Sequence, residues 1–234
     1  MTISLVSNPT ITMGPQLTMK QTVPNFQDIH IWEFHLELAD VSEADIEILS
    51  DRERQRAARL RDTQVRQKWV LGRGYLRRLL ASYLGIVPDD VVLGEGKFGK
   101  PFLRQECGHG IRFNLTHSDS LMLIAIGFDR EVGLDLENMH TFSEMETVAR
   151  QYFSSLEYQQ WQTLPIPDRT PGFYRCWTRK EAYLKARGEG FHRSSTKFSV
   201  ALLPDDMPQV LWRADDFQED SSWQFMDLDR KSVV

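Results

Sequence analysis

With 234 residues, 41% of them hydrophobic and 26% charged, the chain can bury one large core or two small ones. A net charge of −5 argues against general nucleic-acid binding, and no apolar run is long enough to span a bilayer. The N-terminus lacks the basic-then-apolar layout of a secretory leader, so a cytoplasmic protein is expected, with Cys107 and Cys176 as free thiols.

Residues 1–28 are rich in Thr, Pro, Gln and Asn without sustained periodicity and read as a loosely ordered arm. Alternation over 29–38 predicts a first strand, and Ser42 with Asp45, then Ser50 with Glu53, are helix starts of the capping-box type. Arginines crowd the stretch from Arg52 to Arg78, either as a solvated face paired with Asp51, Glu53 and Asp62 or as a local anion-binding face. Val65, Trp69, Gly72, Leu76, Leu79, Leu80 and Tyr83 form one apolar stripe of a helix that stops at Gly85. Gly72 and Gly74 inside it cost about 1 kcal/mol each relative to Ala, which points to close packing.

The run from Gly94 to Pro101 carries glycines and two lysines, a plain hairpin or a backbone cradle for phosphate. Strands are expected over 111–117 and 121–128, with the chain returning through Asp129 and Arg130 to complete a meander. His117, beside Thr116 and Ser118, is a satisfied structural residue or an anion contact. In 131–137, Val132, Leu134 and Leu136 alternate with Gly133, Asp135 and Glu137, so two carboxylates project together from one strand face. Such a pair needs neutralising, and a hard divalent cation suits oxygen donors. Ser143 with Glu146 and Ser154 with Glu157 predict two helices, residues 165–172 a loop, and the run from Phe173 a further helix stopping near Gly188. That helix places Trp177, Glu181 and Lys185 on one face, so a metal site between strand and helix is expected. Strands over 198–203, 210–213 and 223–228 complete the chain.

Gly99-Lys100-Pro101, the run Phe113 to Ser118, Gly133-Leu134-Asp135-Leu136-Glu137 and the run from Phe173 through Trp177 and Lys180-Glu181-Ala182 to Lys185 follow one another in an order and spacing that resemble the surfactin-synthetase-activating type of 4′-phosphopantetheinyl transferase. The resemblance covers roughly residues 50–203. It implies an α+β fold, a pseudo-two-fold pair of similar α+β subdomains (29–128 and 129–234) with the active site in the cleft between them, in a monomer. It implies coenzyme A as substrate, Mg²⁺ with Mn²⁺ as the alternative ion, and transfer of 4′-phosphopantetheine to a serine of apo acyl, peptidyl or polyketide carrier proteins. Under it Asp135, Glu137 and Glu181 are metal ligands, Glu181 or a metal-bound water is the candidate base, and Lys185 stabilises the leaving bisphosphate. Lys100, Asn114, Leu115, Thr116 and His117, with Asp135 and Lys185, fall on coenzyme A contacts; Arg56 falls on the 3′-phosphate contact, with Arg54 a weaker neighbour. The family usually adds a further apolar strand beyond the point matching Asp229, so the second sheet is expected to lack an edge strand. Carrier docking is expected on Arg150, Arg169, Arg179 and Arg187 with apolar residues of 143–164, and neither nucleic acid nor membrane is an expected partner. The competing reading is a non-catalytic coenzyme A or nucleotide-binding module.

Overall fold

Two helices of 22 residues, α3 (Thr63–Leu84) and α6 (Ile166–Arg187), dominate the chain, and each stops where a glycine takes a left-handed backbone, Gly85 at φ 69° and Gly188 at φ 67°. The computed structural model of the protein describes residues 2–6, 11–13, 28–36, 41–104, 110–189, 195–214 and 223–228. Each long helix follows two short ones, α1 (Glu43–Glu47) and α2 (Asp51–Arg59) in the first half, α4 (Met145–Tyr152) and α5 (Ser155–Thr163) in the second.

The second short helix of each half begins with the predicted capping box. In both, the box glutamate also reaches a cation on the long helix. Glu53 accepts from Arg77 Nε at 2.7 Å, and Arg77 donates onward to the carbonyls of Pro88 and Val91. Glu157 accepts from Lys180 Nζ at 2.7 and 2.8 Å and from the Val200 amide, while Lys180 also donates to the Phe198 carbonyl. Both side chains of the Lys180–Glu157 pair are fully buried. Burial of paired charges is tolerable when their remaining hydrogen-bonding capacity is filled, as it is here.

Two helix expectations are corrected. Ser143 does not cap α4, which starts after Glu144 with no side-chain cap, and 165–172 is not a loop, because α6 runs from Ile166 through Pro171. Pro167 lies in the first turn, where the missing N–H costs nothing, and Pro171 forgoes one bond a turn later. Burial of Phe173 and Tyr174 on the same helix outweighs that loss.

A four-stranded sheet runs β2 (Ile11–Met13), β3 (Ile29–His35), β7 (Leu121–Phe128), β6 (Ile111–Ser118), antiparallel except for the β2–β3 pair. The Gly-punctuated stretch is a hairpin of β4 (Leu93–Glu95) and β5 (Pro101–Leu103). The expected meander ends at β7, because β8 (Gly133–Glu137) pairs instead with β1 (Thr2–Val6), which pairs in turn with β11 (Phe225–Asp227). Part of the stretch expected as a loose arm is therefore a central strand, satisfying the ladder groups that β8 and β11 would otherwise leave open. Most of the remaining arm, Cys107 and residues 229–234 lie outside the described residues. A short pair, β9 (Phe198–Val200) and β10 (Val210–Arg213), packs under the second half.

Leu134 and Leu136 of β8, with Val132 just before it, pack on Ile29, Ile31, Leu121, Leu123 and Ala125 of β3 and β7. The other face of β8 meets α6 so closely that a Cβ on Gly133 would fall on the backbone of Ala182 and Ala186. The strand is thus clamped between the first sheet and the long helix of the second half. Among the described residues no helix is long and apolar enough to cross a membrane.

Removing one member of the Lys180–Glu157 pair leaves a buried charge uncompensated. Lys180→Met is expected to lose about 3–5 kcal/mol in urea unfolding, and adding Glu157→Gln to recover part of it; equal stability of the single and double variants would contradict this.

Candidate active site

The alternation of β8 sends Asp135 and Glu137 to the side of α6, where Glu181 and Lys185 stand one turn apart. Lys185 Nζ lies 2.6 Å from Asp135 Oδ1, 3.3 Å from the Leu134 carbonyl and 3.4 Å from Thr116 Oγ1. Thr116, buried on β6, lies 3.4 Å from the same Asp135 oxygen. Asp135 is 3% exposed, and its second oxygen, Oδ2, has no hydrogen-bond partner among the described residues. Glu137 accepts a hydrogen bond from Trp177, and burial and then the nearby Asp135 raise its carboxyl above the usual range. A cleft of about 260 Å³ is lined by Thr116, Asp135, Glu137, Glu181 and Lys185 together with Leu115, His117 and Leu136.

Glu181 feels the crowding most. Burial, then the charges of Asp135 and Glu137, push its carboxyl up to about 7 against the opposing pull of Lys185. For Lys185, burial works downward, but Asp135, Glu181 and Glu137 outweigh it and the ammonium is held more firmly than usual. Burial, then Lys185 and Lys68, lower the His117 imidazole below its usual range.

The cleft shares Leu115, His117 and Lys185 with a larger cavity of about 670 Å³ between α3, the β4–β5 hairpin, β6 and the end of α6. Every residue of the expected coenzyme A set lines one of the two, though not all are free to bind. Asn114 Oδ1 accepts the Leu134 amide at 2.9 Å and so docks β8 onto β6. Lys100 Nζ bonds Glu131 at 2.8 Å and the Ala186 carbonyl at 2.9 Å. Arg56 lines the cavity, whereas Arg54 turns away to Asp51 and the carbonyls of Glu47 and Leu49. Asp135, Glu137 and Glu181 share the cleft, yet among the described residues no group of three or more His, Cys, Asp or Glu side chains is assembled as a metal site. The orphaned Asp135 Oδ2 and the raised Glu137 and Glu181 nonetheless describe an oxygen-donor set with uncompensated negative charge, which fits a hard divalent cation.

Lys68, Trp69 and Arg73 line the cavity as well, though the sequence singled out none of them as a coenzyme A contact. Trp69 is expected in a core stripe, and of the two readings of the cations the cavity favours the anion-binding face. With Val65, Gly72 and Leu76 they share one face of α3, and it is the N-terminal half of that stripe that faces the cavity. Gly72 belongs to both descriptions, since a Cβ there would meet Met122 Sδ at 3.1 Å. The expected carrier-docking patch loses Arg179, which is 2% exposed and held by Asp227 and the Ala201 carbonyl.

Residues 131–232 match the 4′-phosphopantetheinyl transferase superfamily. The chain is 33% identical over 203 residues to the 4′-phosphopantetheinyl transferase HetI of Nostoc sp. (strain PCC 7120), covering 86% of this chain and 82% of that one. It is 26% identical to the transferase Sfp of Bacillus subtilis (strain 168), over 69% of this chain and 70% of that protein. With the transferase AcpT of Salmonella typhimurium it shares 32% over 62% of this chain and 68% of that one.

The folded protein holds the Glu181 proton more tightly than the unfolded chain does. Its contribution to stability is therefore present below the ordinary carboxylate value and lost as pH rises through about 7. Without divalent cations, Glu181→Gln is expected to stabilise the protein at pH 8 by about 1–2 kcal/mol, allowing for screening at a half-buried site, and by much less at pH 5. Thermal melting at both pH values checks this; a variant less stable at pH 8 would show that the crowding is not costly.

Proposed function

The chain belongs to the 4′-phosphopantetheinyl transferase superfamily, and from that premise we propose how its cleft moves phosphopantetheine from coenzyme A to a serine of apo acyl, peptidyl or polyketide carrier proteins. The observation that carries the reading is the junction at Lys185. A long cation-lined cavity opens there into a small cleft holding Asp135, Glu137 and Glu181.

In the reaction the serine oxygen bonds to the β-phosphorus of coenzyme A as the bond from that phosphorus to the bridging oxygen breaks. Adenosine 3′,5′-bisphosphate leaves with that oxygen. Glu181, in the cleft beside Asp135, Glu137 and Lys185, is placed to accept the serine proton. Lys185, held as an ammonium by three carboxylates, faces the charge that develops on the leaving phosphate. Asp135, Glu137 and Glu181 would hold Mg²⁺, or Mn²⁺, which supplies charge neutralisation at the pyrophosphate when bound. His117 and Thr116 line the phosphate end as hydrogen-bonding groups, and Leu115 and the Asn114-anchored backbone form the wall beside them.

Arg56 and Arg73, which both lie over the Trp69 ring, line the larger cavity from α2 and α3 and suit the 3′-phosphate of coenzyme A, while Lys68 stands nearer His117. The halves 29–128 and 129–234 meet at this cleft, and we place the protein in the cytoplasm as a monomer. A non-catalytic binding module is disfavoured by the family match and by relatives that are themselves 4′-phosphopantetheinyl transferases.

Intact mass of an apo carrier protein incubated with this protein, coenzyme A and Mg²⁺ is the test. A gain of one phosphopantetheine is expected, abolished by EDTA and slowed at least about 100-fold by Glu181→Gln. No gain with several carriers, despite measurable coenzyme A binding, would favour the binding module.

A further inference from the structure

Arg56 stands between two cavities. It lines the 670 Å³ cavity just described and also a neighbouring one of about 600 Å³, whereas Glu95 lines only the second. Glu95 Oε1 accepts from Arg56 Nη1 at 2.9 Å, and its other oxygen accepts from Arg52 Nη2 at 2.6 Å. The Arg56 guanidinium carbon lies over the Trp69 ring, 5.8 Å from its centroid. Arg56 is therefore engaged by both Glu95 and Trp69 while it lines the larger cavity.

The grip matters because Arg56 is 56% exposed at its side chain, and an arginine that open keeps most of its rotamer freedom unless something removes it. Glu95 is well placed to do so. It ends β4 opposite Pro101, in a hairpin closed by the Gly96 amide bonding the Lys100 carbonyl at 2.8 Å. The cavity's neighbouring arginine, Arg73, has a separate partner, Glu53 at 3.5 Å, so the Glu95 contact falls on Arg56 and on Arg52, which does not line the larger cavity.

We infer that Glu95 is a positioning residue that holds Arg56 for the 3′-phosphate of coenzyme A and thereby sets the preference for coenzyme A over 3′-dephospho-coenzyme A. The inference rests on the proposed placement of that phosphate at Arg56. Glu95 touches neither substrate nor reacting atoms, so it acts on affinity and leaves the chemical step alone.

The test is calorimetric binding of coenzyme A and of 3′-dephospho-coenzyme A, with Mg²⁺ present, to the full chain and to Glu95→Ala, Glu95→Gln, Arg56→Ala and the Glu95→Ala/Arg56→Ala double variant. Glu95→Ala is expected to weaken coenzyme A about tenfold and leave the dephospho compound unchanged, with Glu95→Gln intermediate because its amide oxygen still accepts from Arg56. In transfer assays KM for coenzyme A rises and kcat holds. In the Arg56→Ala background, Glu95→Ala should add nothing. Equal weakening for both compounds, or a loss that persists without Arg56, would mean that Glu95 merely tethers the hairpin and would overturn the inference, as would no change at all. If Arg56→Ala itself fails to discriminate the two compounds, the placement of the 3′-phosphate falls, and the inference with it.

Discussion

The approach of β8 to α6 at Gly133 is the contact on which the site depends. With no side chain at that position the strand lies against the helix backbone at Ala182 and Ala186, and two residues further along Asp135 comes within 2.6 Å of the Lys185 ammonium. A side chain at 133 would push strand and helix apart by the thickness of a methyl group or more. A charge-assisted hydrogen bond does not survive such a displacement, and the carboxylates would no longer share a cleft with Glu181.

The surroundings of that contact are built from one device used twice. In each half a Ser-x-x-Glu capping box starts a short helix, and the box glutamate then anchors a basic side chain of the long helix that follows: Arg77 at Glu53, Lys180 at Glu157. The cations reach onward to carbonyls of the segments beyond their helices, Pro88 and Val91 in one half and Phe198 in the other. The halves differ in depth of burial. Lys180 and Glu157 are fully enclosed, while Glu53 keeps 12% of its side chain exposed at the edge of the arginine-rich surface. Lys180 lies on α6 beside Glu181, so the fully enclosed pair ties the helix bearing Glu181 and Lys185 to α5.

Charge in the site follows a matching logic of internal partners. Lys185 is engaged by Asp135, Lys100 by Glu131 and Arg56 by Glu95, so the cations lining the cavity are held in place before any ligand arrives. The carboxylates of the small cleft are the exception: they outnumber their cation, and the imbalance shows as raised affinity for protons at Glu137 and Glu181. Such an arrangement costs stability and is sustained by the surrounding fold.

Local chemistry was legible in the chain. The boxes at Ser50 and Ser154 formed where their spacing placed them, the glycine stops at 85 and 188 ended their helices, and the alternation of 132–137 correctly divided apolar residues from carboxylates. These features depend on residues within one turn or one strand of each other, so sequence alone determined them. What lies far apart in the chain was decided by the tertiary structure. Pairing of β8 with Thr2–Val6 instead of β7, persistence of α6 through Pro171, diversion of Asn114 to dock β8, burial of Arg179, and the turning of Lys68, Trp69 and Arg73 toward a cavity all depend on partners many residues away. A periodic pattern states which face of an element is apolar; only packing decides whether that face meets a core, a neighbouring strand or the space left for a ligand.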